Sequence, residues 1–96
     1  MGIMFSDAYL ENGIVIDCRS KDEWDYGHVE GAILIPSHQI GSKIQQYVKD
    51  KNAPINLYCA SGGRSGSAKS TLLSMGYTNV ANLGSLSAAR SKIGKK

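Results

Sequence analysis

The sequence predicts an α/β fold built on a mainly parallel sheet. Three observations carry that expectation. Short, continuous apolar runs alternate with stretches whose apolar residues recur at helical spacing. The runs Ile14-Val15-Ile16 and Ala32-Ile33-Leu34-Ile35 show no polar alternation, as strands covered on both faces require. Strands that alternate with helices pair in parallel, with helices on both sides of the sheet. The 96 residues suffice for one core, and we read residues 1–96 as a single domain, with 90–96 as a basic tail.

In chain order, Ser6 to Glu11 is a short helix candidate, capped by Ser6 and stopped at Asn12-Gly13. The strand Ile14-Val15-Ile16 follows and ends in Asp17-Cys18-Arg19. Ser20 caps an acidic turn over 21–26, in which Arg19 and Glu23 lie four apart, close enough to pair. Ala32 to Ile35 forms a second strand, stopped by Pro36. Ser37 opens a helix with Ile40, Ile44, Tyr47 and Val48 on one face, weakened by Gly41. After a polar turn, Ile55-Asn56-Leu57-Tyr58 is a third strand. Ala68, Leu72 and Met75 then stripe a helix that Gly76 stops. Val80 to Leu83 is a fourth strand, and Leu86 to Ile93 a last helix with Leu86, Ala89 and Ile93 on one side.

Charge divides the chain. Residues 1–50 hold eight acids and four bases, a net of −4; residues 51–96 hold seven bases and no acid, a net of +7. The cationic half contains Cys59, and such a field concentrates small anions. Arg90, Lys92, Lys95 and Lys96 read as a solvated tail. The bases are not interleaved with aromatics and no binding motif appears, so nucleic acid is not an expected partner. No apolar run is long enough to span a membrane. The start, Met1 to Phe5, lacks the basic and apolar features of a signal peptide, so we expect a cytoplasmic protein, or a periplasmic one whose leader has been removed. Two cysteines are too few for a disulfide framework, and no metal-ligand spacing or cofactor motif is present.

The chemistry centres on Cys59-Ala60-Ser61-Gly62-Gly63-Arg64-Ser65. The Cys stands where a strand ends and a helix begins, the edge at which such sheets bind ligands. Glycines let backbone N–H groups turn inward at the helix N-terminus, which makes an anion site and favours the thiolate. Ala60 to Ser65 would supply N–H groups to the sulfur. Arg64 would add fixed charge, or else pair with a carboxylate such as Asp17. Ser61 and Ser65 would donate hydroxyl hydrogens or simply start the helix. The alternative for the whole stretch is a buried structural Cys before an ordinary Gly-Gly turn.

Cys59-x-Ser61-Gly62-x-Arg64-Ser65 resembles the active-site loop of the rhodanese sulfurtransferases. A second block, Ile16-Asp17-Cys18-Arg19 through Glu23-Trp24, Gly27-His28, Gly31-Ala32 and Ile35-Pro36, is similar to the family's other signature, in the same order. With Met75-Gly76-Tyr77 and Asn79-Val80 the likeness covers roughly residues 14–84. In size it matches the small single-domain thiosulfate sulfurtransferases of the phage-shock type. The resemblance implies a three-layer α/β/α fold of four to five strands. It also implies transfer of sulfur from thiosulfate, or a similar anionic donor, to cyanide or a thiol through a persulfide on Cys59. The protein would be a monomer, and a protein sulfur donor or acceptor is a further partner to consider. Leu83-Gly84-Ser85 departs from the family's frequent Gly-Gly pair. Asp17, Arg19, Glu23, Gly27, His28 and Gly31 read as structural, Trp24 as a core cover, and Cys18 as a small core residue rather than a resolving thiol. Two other classes compete. Phosphatases of the related cell-cycle type place five residues between Cys and Arg, where this chain has four. A domain retained only for binding typically loses the Cys.

Overall fold

A computed structural model describes residues 6–94. Four strands, β1 (Ile14–Asp17), β2 (Ile33–Leu34), β3 (Ile55–Cys59) and β4 (Val80–Ser85), form one sheet in the order β2-β1-β3-β4, and every pairing is parallel. Ile14 to Asp17 pair with Ile55 to Tyr58, and Ile55 to Leu57 pair with Val80 to Asn82. The helices are α1 (Lys21–Tyr26), the single turn α2 (Ile40–Lys43), α3 (Gly63–Ser74) and α4 (Leu86–Gly94).

Alternation along the strands sends side chains to two faces. Ile16, Ile55, Leu57 and Cys59 join Ile40, Ile44, Ala68 and Leu72 in one apolar cluster, which packs α2 and α3 against the sheet. Val15, Tyr58, Ala81 and Leu83 join Leu10, Leu86, Ala89 and Ile93 in the other, which packs α4. The result is the three-layer α/β/α arrangement. β3 lies inside the sheet and all five of its residues are buried.

Four elements differ from the sequence reading. Ser6 to Glu11 is not a helix. The Asp7 N–H donates to the Asn82 carbonyl at 2.7 Å, and the Asp7 carboxylate accepts from the Asn82 N–H at 2.8 Å. These tertiary bonds hold the segment beside β4, and six residues are too few to form a helix against them. The helix expected from Ser37 is broken into a 3-10 turn (Ser37–Gln39), α2 and a second 3-10 turn (Ile44–Gln46). Ile40, Ile44 and Val48 are buried as expected, whereas Tyr47 is exposed to solvent. Part of the stretch read as a basic tail over 90–96 is helical. Arg90 and Lys92 lie within α4, and Lys92 Nζ donates to Ser6 Oγ and to the carbonyls of Asp7 and Leu83. Lys95 and Lys96 fall outside the described residues, as does the start, Met1 to Phe5. Strand 32–35 shortens to Ile33–Leu34.

Buried polar groups fix the strand ends. Asn56, fully buried, accepts from the Leu10 N–H at 2.8 Å and donates to the Leu10 and Ile14 carbonyls. Gly13 makes that approach possible, since a Cβ there would lie 2.8 Å from both the Asn56 amide and the Pro54 carbonyl. The buried Asp17 carboxylate accepts from the Arg19 N–H and guanidinium and from the Tyr58 hydroxyl at 2.8 Å. An ionised pair this deep is tolerable because each oxygen is hydrogen-bonded.

Candidate active site

β3 delivers Cys59 to the sheet's carboxyl edge, and the chain then turns through Ala60 to Gly62 into α3. Gly62 has φ +97°, the left-handed region that glycine enters freely. That turn folds the loop back over the sulfur. Cys59 Sγ accepts from the Gly62 N–H at 3.0 Å, the Ser65 N–H at 3.3 Å and the Ser65 hydroxyl at 3.2 Å. Burial pushes the Cys59 thiol up. The Ser65 hydroxyl and the N–H groups of Ser65, Ser61 and Gly62 outweigh it, and hold the thiol below its ordinary value. The N-terminus of α3 adds its positive end to the same point. A sulfur in such a cradle of donors is favoured toward its thiolate form.

The loop residues play unequal parts. Gly62 and Ser65 touch the sulfur; Ala60, Ser61, Gly63 and Arg64 are exposed around the rim. Arg64 does not pair with Asp17. Its guanidinium donates to both Glu23 oxygens, at 2.8 and 2.9 Å. Arg19 is therefore not Glu23's partner across the α1 turn: its guanidinium turns inward to Asp17 and to the Gly27 carbonyl. Glu23 closes a capping box with Ser20 as well. The Arg64 and Cys59 charges interact favourably. His28 is a tie. Its Nδ1–H donates to the Trp24 carbonyl at 2.9 Å and its ring stacks on Trp24 with centroids 3.5 Å apart.

Asn82 escaped the sequence reading. It sits on β4 beside the loop. Its Nδ2 donates to the Gly62 carbonyl at 3.1 Å, and its Oδ1 accepts from the Ser65 hydroxyl at 2.7 Å and the Gly84 N–H at 3.1 Å. A lone Asn within a strand run carries no motif, so only the β3–β4 pairing could have revealed it. Among the described residues, no group of three or more His, Cys, Asp or Glu is placed to hold a metal ion, and no helix is long and apolar enough to cross a membrane.

A parallel sheet covered on both faces, with a cysteine sulfur cradled by donors where a central strand enters a helix, defines a class of α/β domain. Residues 6–91 match the rhodanese-like domain model, and the chain belongs to that family. It is 44% identical over 71 residues to thiosulfate sulfurtransferase PspE of Escherichia coli strain K12, covering 74% of this chain and 68% of the relative. It is 34% identical over 76 residues to a sulfurtransferase of Allochromatium vinosum, covering 79% and 69%. A solved rhodanese with anions from E. coli superimposes with a TM-score of 0.77 at 41% identity, covering 79% of this chain and 89% of that one.

Proposed function

We propose that the protein is a thiosulfate sulfurtransferase that works by double displacement on Cys59. The observation that carries this reading is the set of three hydrogen bonds converging on Cys59 Sγ. The thiolate attacks the outer sulfur of thiosulfate. A new S–S bond forms, the old one breaks, and sulfite leaves with its electron pair. The persulfide's negative terminal sulfur then lies against the N–H groups of Ala60 to Ser65, and Arg64 supplies fixed charge at the rim. Cyanide or a thiol attacks that outer sulfur, and the Cys59 thiolate is regenerated. Both steps exchange one anion for another, so a cradle of fixed donors suits them.

Four residues separate Cys59 from Arg64, a ring sized for one sulfur atom rather than a tetrahedral oxyanion. Among the described residues the exposed large apolar side chains are Tyr26 on α1, Tyr47 in the turn after the second 3-10 segment and Leu73 on α3, which suits a monomer. Two free thiols suit a reducing compartment such as the cytoplasm.

Incubation with thiosulfate, followed by removal of excess donor, is expected to add the mass of one sulfur atom at Cys59. Cyanide should remove it. Hydrolysis of an aryl phosphate faster than persulfide formation would replace this reading with a phosphatase.

A further inference from the structure

Two residues donate to the sulfur through the loop, Gly62 and Ser65, and one side chain outside the loop holds both. Asn82 Nδ2 donates to the carbonyl of Gly62, and Asn82 Oδ1 accepts from the hydroxyl of Ser65. Gly62 sits in a left-handed conformation, and its carbonyl also accepts the first helical bond from the Gly66 N–H at 2.9 Å. The peptide on either side of Gly62 therefore decides where its own N–H points. Asn82 is itself fixed from behind. Its backbone exchanges hydrogen bonds with Asp7, whose carboxylate is paired with Lys69 at 2.7 Å, and the Gly84 N–H orients the carboxamide.

We propose that Asn82 is a positioning residue for the reaction: it braces the loop so that the Gly62 and Ser65 donors converge on Cys59. The Ser65 hydroxyl has one hydrogen and two acceptors in reach, Cys59 Sγ at 3.2 Å and Asn82 Oδ1 at 2.7 Å. The hydrogen turns to sulfur when Cys59 is a thiolate, because an anion is the stronger acceptor. In the persulfide the charge moves one atom outward, and the hydroxyl finds its second seat on Asn82. The hydroxyl is thus satisfied in both halves of the cycle. The inference rests on the reading of Cys59 as the nucleophile, but not on the identity of the sulfur donor.

The test measures alkylation of Cys59 by iodoacetamide against pH in the intact chain, on a Cys18→Ser background so that one thiol is read. Ionisable side chains whose charge meets that of Cys59 include Cys18, removed by that background, and Arg64 on α3; Asp7 and Lys69 lie behind Asn82. Asn82→Ala is expected to move the profile to higher pH, and to slow alkylation about tenfold below the midpoint, as losing one hydrogen bond to a charged group predicts. Asn82→Asp keeps the acceptor for Ser65 and Gly84 but sets a carboxylate against the Gly62 carbonyl, and should move it further. Combining Asn82→Ala with Ser65→Ala should cost less than the two single effects together. An unchanged profile in both Asn82 variants, or a shift to lower pH in Asn82→Ala, overturns the proposal. The latter would mean that Asn82 merely competes for the Ser65 hydrogen. If the parent chain alkylates at ordinary thiol pH, the reading of Cys59 fails instead.

Discussion

The two cysteines are neighbours with opposite fates. Ile16 pairs with Leu57 across β1 and β3, so two residues further on, Cys18 and Cys59 leave adjacent strands on the same face. Both are 1% exposed and both belong to the same apolar cluster. Burial pushes the Cys18 thiol far up, and the nearby charges of Cys59 and Asp17 push it further. Burial pushes Cys59 up as well, yet the loop donors reverse it. What differs is the chain that follows each. After Cys18, Arg19 folds back onto Asp17 and its backbone N–H is used on the same carboxylate. After Cys59, a left-handed glycine turns successive N–H groups onto the sulfur. A strand end and a thiol do not make a nucleophile; the donors beyond it do.

The widest gap between the two should appear on removing each sulfur. Cys59→Ser is expected to abolish thiocyanate formation from thiosulfate and cyanide while the thermal melt stays cooperative. Cys18→Ser should retain most of the rate. Loss of turnover in Cys18→Ser at unchanged stability would make Cys18 a resolving thiol and erase the contrast.

Next comes the source of the reversal. Ser65→Ala removes the largest favourable contact to Cys59 Sγ and leaves the Gly62 and Ser65 N–H groups in place. The pH profile of persulfide formation should move upward, with about a tenfold loss of rate on its acid side and little loss at high pH. A uniform loss at all pH values would instead mean that Ser65 only supports α3.

Much of this was legible from residue order. The continuous apolar runs gave β1 and β2 because a doubly covered strand needs no alternation. Cys59 and its glycines were legible because one local stretch does all the turning. Ser20 announced its cap of α1 by position, but Glu23 was paired with Arg19 and its half of the capping box was missed. The other misreadings are long-range. Ser6 to Asp7 hydrogen-bond to residues 75 and more positions away. Arg64 reaches Glu23 across 41 residues rather than Asp17. Asn82 serves the loop only because β4 pairs with β3. Local propensity carries no signal for any of these.

Arg64 and Glu23 are where the comparison can be sharpened at the rim. Arg64→Ala should raise the thiosulfate KM about three- to tenfold with a smaller change in kcat, since the sulfur's own donors remain. Arg64→Lys should recover part of that, because a point charge cannot reproduce the planar fork. Glu23→Gln should act in the other direction, lowering KM about twofold by freeing the guanidinium. An unchanged KM in both Arg64→Ala and Glu23→Gln would make the pair purely structural.

The smallest effect concerns that same pair in stability. Hydrogen bonding by Arg64, with help from the Ser20 N–H and hydroxyl, holds the Glu23 carboxyl at about 2, below its ordinary 4.5. A depressed carboxyl stabilises the fold only while it is ionised. Its contribution is therefore complete above about pH 4.5, and is lost as pH falls through about 2. The carboxylate and the guanidinium are both about one-third or more exposed, so solvent screens the pair and the contribution stays within about 1 kcal/mol. Urea unfolding at pH 6 should find Glu23→Gln less stable by up to that amount, and the difference should shrink toward pH 2. Added salt should shrink it too. Arg64→Ala separates the two causes of the depression. If the pair supplies it, Glu23→Gln on the Arg64→Ala background should cost less than it does in the parent chain. If the cost is undiminished, the Ser20 cap carries the effect, and Glu23 is tied to α1 rather than to the loop that holds Cys59.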